Sequence, residues 1–142
     1  MQSNMKTTLF SILILFSING FAFDWVKVHQ HTNGDTYYFD IKTAKKHDGH
    51  IYHWVLVDFM EPKEGSTSIV TKYKTNCNRE SETVLQLIAY NQPMGKGEVV
   101  TQGTPTKKRE YHPPPNSLAY SLLDRVCEVS RVYFDSNGNF KF

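Results

Sequence analysis

Six histidines and two cysteines are the side chains of this 142-residue chain best suited to chemistry. Five of the histidines, His29, His31, His47, His50 and His53, fall within one short stretch, and His112 lies apart. His29-x-His31 puts two imidazoles on one face of an extended segment, a spacing that can chelate a transition metal. With His50 and His53 added, the set suits zinc, copper or haem iron, all of which accept neutral imidazole. A closed zinc site, however, needs four ligands and groups that orient them, and no carboxylate or cysteine stands at a matching spacing. The histidines are therefore expected at the surface or packed on a sheet, without a bound metal or cofactor. A periplasmic ligand, metal or haem binder built on His29, His31, His50 and His53 is the alternative.

Covalent and acid–base catalysis find less support. The chain has no G-x-S-x-G elbow, no H-E-x-x-H helix and no glycine-rich phosphate loop. Asp40 and Asp58 are carboxylates near strand ends, where such a group more often orders a turn by accepting backbone N–H bonds. No catalytic residue is assigned, and the chain is read as a non-enzyme.

The thiols depend on the compartment. After Lys6 an uncharged run, Leu9 to Phe16, leads to the small residues Gly20 and Ala22. A basic start, a short apolar centre and a small-residue exit describe a secretory signal peptide over residues 1–22. The run is shorter than the about 20 apolar residues that span a bilayer. A mature chain starting at Phe23 is expected to fold outside the cytoplasm, and about 120 residues suffice for one compact domain. In an oxidising compartment Cys77 and Cys127 are expected to form one disulfide, which removes them as nucleophiles. Neither cysteine directly follows the apolar run, so no lipid anchor is expected. The chain carries 16 Lys and Arg against 14 Asp and Glu, with Lys6 the one charge in residues 1–22. Near neutrality gives no long-range attraction to nucleic acid. Lys107-Lys108-Arg109 is the one dense basic run, read first as a solvated loop.

The elements that must position these residues are mostly strands. Trp25–Gln30 alternates in polarity, Asn33-Gly34 suits a tight hairpin, and 36–39 reads as the partner strand. Residues 40–46 are ambiguous. After Asp48-Gly49, His50–Phe59 is the strongest strand, with Tyr52, Trp54, Leu56 and Asp58 on one face and Ile51, His53, Val55, Val57 and Phe59 on the other. Glu61–Gly65 is expected to break the sheet before a strand over 66–74. Strands over 82–90 and 99–101 follow, joined by a loop with Pro93, Gly95 and Gly97. The prolines of 104–116 exclude a regular element there. Asn116 or Ser117 then caps a helix whose apolar stripe is Leu118, Ala119, Leu122, Leu123, Val126 and Cys127. Residues 129–142 read as an appended β-hairpin-like extension around Asn137-Gly138. With Cys127 on the stripe, the disulfide would staple the helix to the sheet.

Trp25, Tyr37-Tyr38 with Asp40, Trp54-Val55-Leu56 with Asp58, the strand from Ser66, Cys77, Pro115-Asn116-Ser117 and Cys127 together resemble the surface-adhesin protein E-like domain of secreted bacterial proteins. The resemblance covers roughly residues 25–127, so residues 23–128 are taken as the domain. It implies an α+β fold: a single curved antiparallel β-sheet of about six strands, with one C-terminal α-helix packed on its concave face and tethered by a disulfide. It also implies an adhesin-like role at or near the surface of a Gram-negative bacterium, with a host extracellular-matrix protein as partner.

One helix covers only one face of a sheet, so some of Trp25, Tyr37, Tyr38, Tyr52, Trp54, Tyr73 and Tyr90 remain for cross-strand pairing or for a partner, including a second copy in a homodimer. The expected contact region is the loops and sheet face opposite the helix, including 91–109. The partner-binding candidates are Tyr90, Lys96, Lys107, Lys108 and Arg109. The expected location is periplasmic, secreted or cell-surface.

Overall fold

The computed structural model describes residues 23–141. The expected signal peptide lies outside the described residues. Seven strands and one helix follow in order: β1 (Trp25–Gln30), β2 (Thr36–Asp40), β3 (Lys45–His47), β4 (His50–Lys63), β5 (Ser66–Asn76), β6 (Ser81–Gln92), β7 (Lys96–Gly103) and α1 (Leu118–Tyr133). They form one open antiparallel sheet in the order β1-β2-β4-β5-β6-β7, with β3 paired to β4 beyond the end of β2. The α+β architecture expected from the sequence is present, with one strand more.

Alternation along β4 decides which side chains face the helix. Odd positions Ile51, His53, Val55 and Val57 point toward α1, where Leu123, Val126 and Cys127 are buried. Phe39, Ala44, Val126 and Phe134 form the core of that layer, with Val28, Ile41, Val129 and Tyr133 against it. Ser117 caps α1, its Oγ accepting from the Tyr120 N–H at 3.1 Å. The disulfide joins Cys77, just past β5, to Cys127 on α1. Asn76 Oδ1 accepts from the N–H groups of Asn78 and Arg79, fixing the turn that presents Cys77.

Even positions of β4 face away from the helix, yet this side is not bare. Leu56 and its cross-strand neighbour Val70 are 0% and 2% exposed. A 3-10 turn, Pro93–Gly95, folds back over them. Asp58 Oδ1 accepts from the Met94 N–H at 2.6 Å, and Ser68 Oγ accepts from the Gly95 N–H at 2.9 Å. Gly95 has φ +65°, and a Cβ there would lie 3.0 Å from Val70 Cγ2. Both the conformation and the close approach require glycine.

Three local expectations are corrected and one open stretch is resolved. The β4 strand runs through Glu61-Pro62 to Lys63, and the turn is only Glu64-Gly65. Phe59–Pro62 lie in a bulge between the paired residues Asp58 and Lys63, so Pro62 leaves no ladder bond unmade. Within the ambiguous stretch 40–46, Asp40 ends β2 and Lys45 begins β3. Asp40 accepts from the N–H groups of Asp24, Lys42 and Thr43 and from the Thr43 hydroxyl, which orders the connection. The 99–101 strand is longer and starts at Lys96. Finally, α1 continues to Tyr133, so Val132-Tyr133 is helical and only the bridge Phe134–Phe140 remains of the expected hairpin. Val126, Val129, Ser130 and Tyr133 keep the buried helical stripe going, and that packing outweighs the strand propensity of Val132-Tyr133-Phe134.

Candidate functional site

The helix-free face carries two adjoining concavities. A groove of about 710 Å³ is lined by Phe23, Lys42, Thr43, Lys45, Tyr52, Trp54, Lys72, Gln86, Ile88 and Tyr90. Next to it, a cleft of about 480 Å³ is lined by His50, Tyr52, Lys74, Asn76, Arg79, Ser81, Thr83, Leu85, Lys108 and Glu110. Tyr52 belongs to both.

Cross-strand register builds the groove floor in rows. Lys45 pairs with Tyr52, Tyr52 with Lys74, and Lys74 with Thr83. The next row is Trp54, Lys72 and Gln86. The row after that, Leu56, Val70 and Ile88, is the one on which the Pro93–Gly95 turn sits. Lys72 Nζ lies 5.6 Å from the Trp54 ring centre and Lys74 Nζ 6.0 Å from that of Tyr52, at the outer limit of cation–π attraction. Phe23 stacks on Trp25 at 4.7 Å and meets the Trp54 edge at 5.9 Å, forming an aromatic wall.

Charge lining the groove and cleft is lopsided. Lys42, Lys45, Lys72, Lys74, Arg79 and Lys108 stand against a single carboxylate, Glu110. Glu110 is already engaged: it accepts from Ser81 Oγ at 2.6 Å and lies 3.4 Å from Arg79. The Ser81 hydrogen bond, and after it the Arg79 charge, hold its carboxyl below the usual carboxylate range.

Of the candidates from sequence, Tyr90 lines the groove and Lys108 the cleft. Lys96, Lys107 and Arg109 are exposed and line neither. The residues that sequence reasoning missed are Lys42, Lys45, Lys72, Lys74 and Arg79. The same-face alternation of Lys72 and Lys74 was the available signal, but it needed the β4–β5 register to place it.

The histidines do not form one group: His47 pairs with His50 across β3 and β4, away from His29 and His31. The rings of His29 and His31 are 6.4 Å apart at the β1 end. His50 lines the cleft, while His53, an odd number of residues along the same strand, points to the helix side. Among the described residues no group of three or more His, Cys, Asp or Glu is placed to hold a metal ion. His53 is buried, with Nε2 2.9 Å from Thr75 Oγ1 and its ring between Phe39 and Tyr73 at 5.3 and 5.8 Å. Its Nδ1 is buried without a hydrogen-bond partner among the described residues. Burial pushes the His53 imidazole down to about 3, the Glu82 carboxyl up to about 7 and the Tyr73 hydroxyl up to about 12. All three line a small cavity of about 100 Å³ between α1 and the sheet.

Asp40 and Asp58 both spend their carboxylates on backbone N–H groups, which is a turn-ordering arrangement. No described helix is long and apolar enough to cross a membrane.

The fold has solved counterparts. A crystal structure of Haemophilus influenzae protein E (crystal form II) superposes with TM-score 0.54 at 17% identity, over 74% of this chain and 87% of that one. A second structure, of protein E from non-typeable Haemophilus influenzae, gives TM-score 0.52 at 18% identity, over 73% of this chain and 75% of that one. At such identities the likeness is one of fold. No curated protein sequence matches the chain. The sequence profile described as Surface-adhesin protein E matches residues 25–128, from the first residue of β1 to the one after the helix cysteine. That stretch builds the sheet and the stapled part of the helix, and the chain accordingly belongs to the surface-adhesin protein E family.

Proposed function

We propose that the chain is an exported, non-enzymatic binding protein that docks a protein partner, of the host extracellular-matrix kind, on the helix-free face of its sheet. The carrying observation is that Tyr52, Trp54 and Tyr90 line a groove and stay partly exposed, while the Pro93–Gly95 turn sits over Leu56 and Val70 and leaves the Tyr52 and Trp54 rows uncovered. Aromatic residues in a concave, partly apolar surface are the side chains that most often dominate binding energy. Family membership supports an adhesin-like surface role. The preparation to be used is the mature chain from Phe23.

Trp54→Ala is expected to weaken binding to purified extracellular-matrix proteins, measured on immobilised ligand, by about tenfold or more. Trp54 faces away from the helix core, so the fold should survive, with the thermal midpoint as the check. Unchanged affinity of a folded Trp54→Ala variant for every matrix protein that the parent chain binds would exclude this face as the docking surface.

A further inference from the structure

We infer that the helix-free groove is a receptor for an extended acidic peptide segment of its partner. This deepens the docking reading above and rests on it. Three observations converge. First, the chain is nearly balanced in charge, yet six cations and one acid line the groove and cleft. Charge has been sorted onto this face. Second, among the described residues none of Lys42, Lys45, Lys72 and Lys74 takes part in an ion pair. Lys72 and Lys74 lie over the Trp54 and Tyr52 rings instead, and Lys42 and Lys45 are exposed at the groove, open to an incoming anion.

Third, the spacing fits a strand-like ligand. Lys72 and Lys74 are alternate residues of β5 on the same face, so their Cα atoms are about 6.8 Å apart. An extended peptide presents side chains to one side at that same repeat. Lys45 and Lys74 flank Tyr52 on its two neighbouring strands, about 10 Å from each other at the backbone. The gap between them is wide enough for one extended chain to lie over the Tyr52 and Trp54 rings with cations on both sides. A flat anionic bilayer is a poorer fit to lysines set in a concavity.

The test titrates the full mature chain with poly-L-glutamate, following tryptophan fluorescence at neutral pH. Saturable binding that weakens steeply with added salt is expected. Lys72→Gln/Lys74→Gln should lose about tenfold in affinity. Lys27→Gln/Arg131→Gln removes the same charge outside both cavities and should leave affinity unchanged. An equal loss in both double variants would reduce the effect to net charge and overturn the proposal. So would binding of a heparin-derived oligosaccharide or of phosphatidylglycerol vesicles with no binding of poly-L-glutamate. Matrix-protein binding that is lost in Trp54→Ala but kept in Lys72→Gln/Lys74→Gln, with no poly-L-glutamate binding, would sink the acidic-segment inference while leaving the docking face intact.

Discussion

Replacing Cys77 and Cys127 together by alanine is expected to lower the unfolding free energy by about 4 kcal/mol. The bond closes a 50-residue separation, and the loop-closure entropy it removes from the unfolded chain corresponds to about that amount. Cys127 is 3% exposed and lies beside Val126 in the helix-side core, so the lost sulfur also leaves a small packing defect. For a domain of this size such a loss is a large share of total stability. Urea unfolding of the double variant, and of the parent chain with and without reductant, reads it. A drop below about 1 kcal/mol in both would show that the helix is held by apolar contacts alone.

The second large effect is acid sensitivity at His53. Its folded-state pKa of about 3 lies below the ordinary 6.5, so between those values the unfolded chain binds a proton that the folded chain refuses. Stability from this group is complete above pH 6.5 and is lost as pH falls toward 3, by about 5 kcal/mol in total. Glu82 acts in the opposite sense. Its carboxyl, raised from 4.5 to about 7, makes the folded state the stronger proton binder, so its contribution declines as pH rises through that window. Where the two windows overlap, the slopes offset, which predicts a flat stability profile between pH 4.5 and 6.5 and a steep fall below it. Asp35 adds to that fall: the Lys63 hydrogen bond at 2.7 Å lowers its carboxyl, an advantage lost on protonation. His53→Phe should remove the acid-side slope. If that variant does not fold, the His53 ring protons in the parent chain, followed by NMR, give the same answer. A His53 titrating near 6.5 would contradict the buried, neutral imidazole.

Much of the fold was legible because it follows from local patterns. The odd–even alternation of β4, the Asn33-Gly34 turn and the Ser117-capped stripe of α1 each carry their own signal. The binding face was only half legible. Tyr52 and Trp54 could be placed together by alternation, but their neighbours depend on the β4–β5 register. Lys63 pairs with Ser66 across a two-residue turn, whereas Asp58 pairs with Ser68 after the bulge. Were Phe59–Pro62 paired in one continuous register from Lys63–Ser66 instead of bulged, Trp54 would oppose Thr75, and Lys72 and Lys74 would move to the helix side. Nothing in the sequence announces that bulge except Pro62, which reads equally well as the end of the strand. The Pro93–Gly95 turn was hidden for a related reason. Its hold on the sheet comes from Asp58 and Ser68, more than 20 residues away in sequence.

The same register explains why composition misleads about partners. A chain of nearly balanced charge offers no long-range attraction, and Lys107-Lys108-Arg109 looks like the basic feature to watch. The folded sheet instead gathers lysines from β3, β5 and the β2–β3 connection around two aromatic rings, and of the basic run only Lys108 joins them.

Hydroxyl-radical footprinting of the mature chain, free and bound to a purified matrix protein, tests the docking face most directly. Tyr52, Trp54 and Tyr90 should be protected from oxidation in the complex, with Tyr120 and Tyr133 on α1 oxidised at the rate of the free chain. Protection confined to Tyr120 and Tyr133, with Tyr52 and Trp54 unchanged, would place the partner on the helix side and contradict the account.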